Sequence, residues 1–236
     1  MSNKVGRTIG LIIVNTITII RLIGAFLLPF IYHLHGPNIT SIVIIFLFLS
    51  DTIDGLLARA FKLTTFFGSI MDASSDKILN IIAFIILGLE YSIMFAPLVI
   101  EIAILYTMYS TYRYGGNIQS SQVGKLKTII LDICVTFCFL LLSLPAFKLD
   151  NVYINYLIDN TDNYIMALGI FILVACLFAL YDYLLKNNKA RENPRCMVIK
   201  YEKKKKKPMK LIYKQLFDTN YYLKHKDESI MKQFYI

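Results

Sequence analysis

Charge is scarce in this chain. Of its 236 residues 17% are charged and 56% hydrophobic, with a mean hydropathy of +0.56, which excludes a soluble domain of this length. Cysteine is sparse as well. Cys134, Cys138, Cys176 and Cys196 show no metal-ligand spacing and no partner His, and three of them lie in apolar runs. They read as small buried hydrophobes, and no disulfide framework follows. The first apolar run lacks a small-residue cleavage site and is too long for a removable signal peptide, so it is expected to stay as a helix. An internal repeat, a mark of many transporters, is missing too.

What is present is apolar sequence in helix-length pieces. Six segments, near residues 10–33, 39–59, 66–89, 93–112, 124–146 and 163–185, are each long enough to span about 30 Å of hydrocarbon. The expected fold is an all-α integral membrane protein with six transmembrane helices. Its membrane domain covers residues 1–186, followed by a basic cytoplasmic tail, 187–236. Lys4, Arg7, Arg59, Lys62, Arg113, Lys125, Lys127 and the tail fall on one side of these segments, with Lys148 opposite. Positive charge stays inside, so both termini are expected in the cytoplasm. The abundant Ile, Lys and Asn fit an AT-rich genome and a bacterial cell membrane.

Four carboxylates interrupt this apolar background. The stretch reads Asp51-x-x-Asp54-Gly55-x-x-Ala58-Arg59, then eight residues to Gly68, three to Asp72 and three to Asp76. Each Asp costs about 2.5–3.5 kcal/mol near a bilayer centre. On helices, Asp51, Asp54 and Ala58 share one face, while Gly68, Asp72 and Asp76 stripe another at i, i+4, i+8. The connection from Ala60 to Phe66 is short enough to make the two helices antiparallel neighbours, so the carboxylates can converge. Held together, such charges must protonate or bind cations, and an all-oxygen cage suits two hard ions, Mg²⁺ or Mn²⁺. Gly55 and Gly68 leave bare backbone beside the cage where a flat or phosphorylated ligand could approach. A single Asp here could be a helix cap; four at this spacing argue against that.

At these eight positions the sequence resembles the CDP-alcohol phosphotransferase family. The resemblance carries motif support from Asn15 to Thr128. It implies six membrane helices, two divalent metals between the second and third, a homodimer, and transfer of a phosphatidyl-type group from CDP-diacylglycerol to an alcohol, with CMP released. It further implies that Asp51, Asp54, Asp72 and Asp76 hold the metals and that Gly55, Ala58, Arg59 and Gly68 hold the cytidine and its phosphates. With no His nearby, a carboxylate at the end of the stripe is the best general base for the acceptor hydroxyl. By position and resemblance that is Asp76.

Asn15, Thr18 and Arg21 share a face of the first helix at a spacing of three. Arg21 needs an anionic partner in the membrane. One reading pairs it with one motif Asp or lets it snorkel; the other has all three lining the nucleotide site. The same pattern opens phosphatidylglycerophosphate-synthase-like members, which favours the second. Between the fourth and fifth helices, Arg113, two glycines, small polar residues, Lys125 and Lys127 precede a helix start. That is either ordinary positive-inside charge or an anion pocket. The run Gly124-Lys-x-Lys-Thr128 resembles those synthases and implies an acceptor-phosphate site at Arg113, Lys125 and Lys127, with glycerol 3-phosphate as acceptor. The chain departs from them at Ile100, which precedes Glu101 where they carry an Arg-Glu pair, at Met108 in place of a second Arg, and at Ala73 in place of Pro. Phosphatidylglycerol, as in the family's cardiolipin synthases, or another phosphorylated polyol stays open as acceptor.

Residues 186–236 hold fifteen of the twenty-five Lys and Arg against five acidic residues, with Lys203 to Lys207 consecutive. Such a run is ordinarily a solvated tail; near a membrane helix it also suits anionic lipid, and nucleic-acid binding ranks far behind. Two other classes compete with the enzyme. An ion-coupled transporter would also carry intramembrane carboxylates, but here they are confined to one half. A non-enzymatic membrane adaptor would not need the complete motif.

Overall fold

The computed structural model describes residues 2–61, 63–113, 122–147, 151–192 and 208–225, and every regular element among them is helical. Helix α1 spans Ser2–Ala60 and is broken at Gly36, whose φ of 69° lies in the left-handed region that glycine tolerates. Pro37 follows and further disfavours helical backbone at residue 36. The break folds the helix back on itself. Thr18 Oγ1 lies 3.0 Å from Asp54 Oδ2, although thirty-six residues of straight helix would part them by about 54 Å. The first two expected helices are therefore the antiparallel arms of α1, joined by a bend in place of a loop.

Helix α2 (Phe66–Glu90) begins at Thr65, whose Oγ1 accepts a hydrogen bond from the Gly68 N–H at 3.0 Å. A 3₁₀ turn at Ser92–Met94 leads into α3 (Phe95–Arg113). Helix α4 (Gln122–Ser143) runs on as a 3₁₀ turn to Phe147. The short α5 (Val152–Asp159) is capped by Asn151, and α6 spans Thr161–Glu192. Two further helices follow within the expected basic tail, α7 (Met209–Phe217) and α8 (Thr219–His225). Lys62, Lys148 and the Lys203–Lys207 run lie outside the described residues.

Packing follows the helical period. On α6 the buried positions are Ile165, Gly169, Ile172, Cys176, Ala179, Tyr183 and Asn187, steps of four and three that keep one stripe inward. That stripe meets α3 and α4, and α4 also lies against α1. Ala25, Leu28, Ile44 and Leu47 of α1, Leu79, Phe84 and Leu87 of α2, and Val135, Cys138 and Phe139 of α4 complete one core. Cys134, Cys138 and Cys176 are buried free thiols. Away from the carboxylates, the Tyr91 hydroxyl donates to Asp162 at 2.7 Å; burial and that bond raise the phenol above its ordinary range.

The outward surface is apolar to a degree that water does not tolerate. Phe26, Phe30, Phe46, Ile133, Phe171 and Phe178 are all more than half exposed, and a continuous coat of this kind needs a lipid solvent. Among the described residues, four stretches are long and apolar enough to cross a bilayer: Ile9–Ala58, Ser92–Thr111, Val123–Phe147 and Thr161–Glu192. The make-up is that of an all-helical integral membrane protein.

Candidate active site

The two arms of α1 and helix α2 bring the motif together around one side chain. Arg21, on the first arm, is 0% exposed, and its guanidinium touches all four motif carboxylates. Nη1 bonds to Asp51 and Asp76. Nη2 donates to Asp54 Oδ2 at 2.9 Å and to Asp72 Oδ1 at 2.7 Å. The ion pair weighed for Arg21 is thus made with four partners instead of one. One guanidinium among four carboxylates leaves three negative charges uncompensated when all are ionised, and in an apolar surrounding that excess calls for further cations.

The donor set fits divalent metal. Asp51, Asp72 and Asp76 each offer an oxygen, and these oxygens all lie within 4.8 Å of one another. Asp54 stands behind them at 2% exposure; its Oδ2 faces Thr18 and Arg21, while its buried Oδ1 has no hydrogen-bond partner among the described residues. An orphaned carboxylate oxygen beside three convergent ones is an all-oxygen arrangement of the kind hard cations prefer.

A cavity of about 1030 Å³ opens over these groups. Asn15, Thr18, Gly55, Ala58 and Gly68 line it together with all four motif aspartates. Space at Gly68 is tight: a Cβ there would come within 3.1 Å of Thr65 Oγ1 and 3.2 Å of Asn15 Oδ1. Thr65 is already committed to capping α2, so a larger residue here has to displace Thr65 or Asn15. Arg59 continues the helix, but its side chain lies outside the described residues. The facing wall is α4, through Lys125, Thr128 and Asp132, and an apolar flank is made by Ile45, Phe48, Leu49, Ile133 and Phe137.

The three expected acceptor-phosphate cations do not come together. Lys125 lines the cavity, whereas Lys127 forms a buried ion pair with Glu101 of α3. Arg113 ends α3 exposed and off the cavity wall. The reason is helical: residues two apart on α4 point about 200° from each other. Asp132, which the sequence reading passed over, does share the Lys125 face. Its Oδ1 accepts from Asn80 Nδ2 at 3.1 Å, and Asn80 extends the α2 stripe one more step of four beyond Asp76. A lone acid in the apolar run of α4 was the available signal.

A family profile described as CDP-alcohol phosphatidyltransferase matches residues 11–181. The chain belongs to the CDP-alcohol phosphatidyltransferase family. Within that family it is similar to the CDP-diacylglycerol–glycerol-3-phosphate 3-phosphatidyltransferase of Yersinia enterocolitica, with 30% identity over 112 residues, 44% of this chain and 60% of the relative. The protein of the same name from Pectobacterium atrosepticum is 29% identical over 112 residues, with the same coverage. An uncharacterised protein of Aquifex aeolicus is 29% identical over 134 residues, 49% of this chain and 68% of the relative. The chain thus spans about 60% of the length of the two named transferases. No solved structure matches it.

Proposed function

We propose that the chain transfers the phosphatidyl group of CDP-diacylglycerol to an alcohol, glycerol 3-phosphate by preference, and releases CMP. The single observation that carries this reading is the convergence of Asp51, Asp54, Asp72 and Asp76 on one cavity wall. Those four carboxylates would hold two ions of Mg²⁺ or Mn²⁺. When bound, such ions neutralise a pyrophosphate and ease departure of CMP.

The chain's own groups do the rest. Asn15, Thr18, Arg21, Gly55, Ala58, Arg59 and Gly68 hold the nucleotide, and the apolar flank by Phe48 and Phe137 receives acyl chain. Asp76 takes the proton of the acceptor hydroxyl as the acceptor's oxygen bonds to the lipid-side phosphorus, and the bond from that phosphorus to the bridging oxygen breaks, leaving CMP. We assign the acceptor phosphate to Lys125, on the facing wall. The six passes are the two arms of α1 with α2, α3, α4 and α6. The distribution of Lys and Arg supports cytoplasmic termini, and the bacterial relatives support a cell-membrane location. The protein acts as a homodimer.

The test is CMP release by the purified chain from CDP-diacylglycerol with glycerol 3-phosphate, phosphatidylglycerol and other polyol phosphates, each with Mg²⁺, Mn²⁺ or EDTA. Metal-dependent release that is highest with glycerol 3-phosphate is expected. Highest release with phosphatidylglycerol replaces the acceptor, activity persisting in EDTA refutes the metal role, and solute uptake without any CMP refutes the enzyme.

A further inference from the structure

Helices α7 and α8 lie beyond the residues matched by the family profile, 11–181, yet they are seated on the site. Phe217 packs on Phe67 with ring centroids 4.7 Å apart, and Tyr222 meets Phe66 edge-on at 5.0 Å. Ile212 of α7 and Thr219 of α8 are buried. Phe66 and Phe67 open α2, next to Gly68. Tyr222 itself lines the cavity, together with Thr65 and Gly68.

We infer that α7 and α8 close the nucleotide end of the cavity and that Tyr222 presents its ring to the cytosine base. The inference rests on the reading of a CDP-linked lipid as substrate. The cavity offers two environments: the apolar flank of Phe48 and Phe137 suits acyl chain, and the polar end at Asn15, Thr65 and Gly68 suits a nucleotide. A base is flat and stacks favourably on an aromatic face, and such stacking tolerates any base. Tyr222 lines the polar end and is braced there by Phe66, so its ring is held before the ligand arrives.

The experiment measures CMP binding to the full chain in detergent with Mg²⁺, by titration calorimetry. Tyr222→Ala is expected to weaken CMP binding roughly 5- to 150-fold, while Tyr222→Phe, which keeps the ring, stays within about twofold of wild type. In turnover, Tyr222→Ala raises KM for CDP-diacylglycerol and leaves KM for the acceptor unchanged. Should Tyr222→Ala fail to fold, Tyr222→Cys in a Cys196→Ser background is labelled with a maleimide, and CMP is expected to slow the labelling. Unchanged CMP affinity in Tyr222→Ala, or labelling indifferent to CMP, overturns this inference alone. A wild type that binds no CMP overturns it together with the proposed function.

Discussion

Replacing Arg21 with methionine removes the guanidinium that four carboxylates share at a position 0% exposed. Deleting one partner of a buried ion pair costs about 3–5 kcal/mol. Asp72 is 42% exposed and Asp51 33%, so water screens part of the repulsion and the expected loss sits near the low end, about 3 kcal/mol. For a chain of this size about 1 kcal/mol moves Tm by about 2–4 °C, which predicts a fall of about 6–12 °C in EDTA. A cation bound only by the folded state stabilises by about 2.7 kcal/mol at a hundred times its Kd. The variant, with no guanidinium among its carboxylates, has more to gain from Mg²⁺ than the wild type has. Thermal unfolding in detergent, followed by circular dichroism, should therefore show the gap between the two proteins shrinking by half or more at saturating Mg²⁺. An equal gap with and without Mg²⁺, or none in EDTA, would refute the idea that this cage is a cation site short of positive charge.

Asp76→Asn should lower CMP release by about 10²- to 10⁴-fold while the protein still accumulates folded in the membrane; residual activity above about one percent removes Asp76 from the base role. The Lys127–Glu101 pair, at 10% and 9% exposure, predicts that Lys127→Met and Glu101→Gln each destabilise by about 3–5 kcal/mol and that the double variant recovers most of it. Additive losses in denaturant titrations would show that the two side chains do not depend on each other.

Helix positions and the convergence of the motif aspartates were legible because both follow from period and spacing. The stripes Asp51, Asp54, Ala58 and Gly68, Asp72, Asp76 needed only a short connection to face each other. The number of partners for Arg21 was not legible, since it depends on how far the bend at Gly36 returns the second arm. Grouping Lys125 with Lys127 followed a sequence resemblance, whereas the helical period separates them and joins Lys125 to Asp132. The C-terminal helices were hidden by composition: Leu211, Ile212 and Phe217 sit within a strongly basic run whose charge outweighs their apolar spacing. Nothing local to Tyr222 announces that it reaches the cavity, because that contact is made across more than 150 residues of chain.

The bend at Gly36 also bears on how the chain is delivered to the bilayer during synthesis. Thr18 and Arg21 ride on one arm and Asp51 and Asp54 on the other, so each arm alone would carry naked charge into oil. Paired as a hairpin, the arms cancel part of that charge through Arg21, Asp51 and Asp54, and Asp72 and Asp76 follow on the next helix. A ribosome-tethered chain halted before Asp51 should come away in alkaline carbonate, and one released past Asp76 should resist it; equal extraction of both would show that the arms integrate independently.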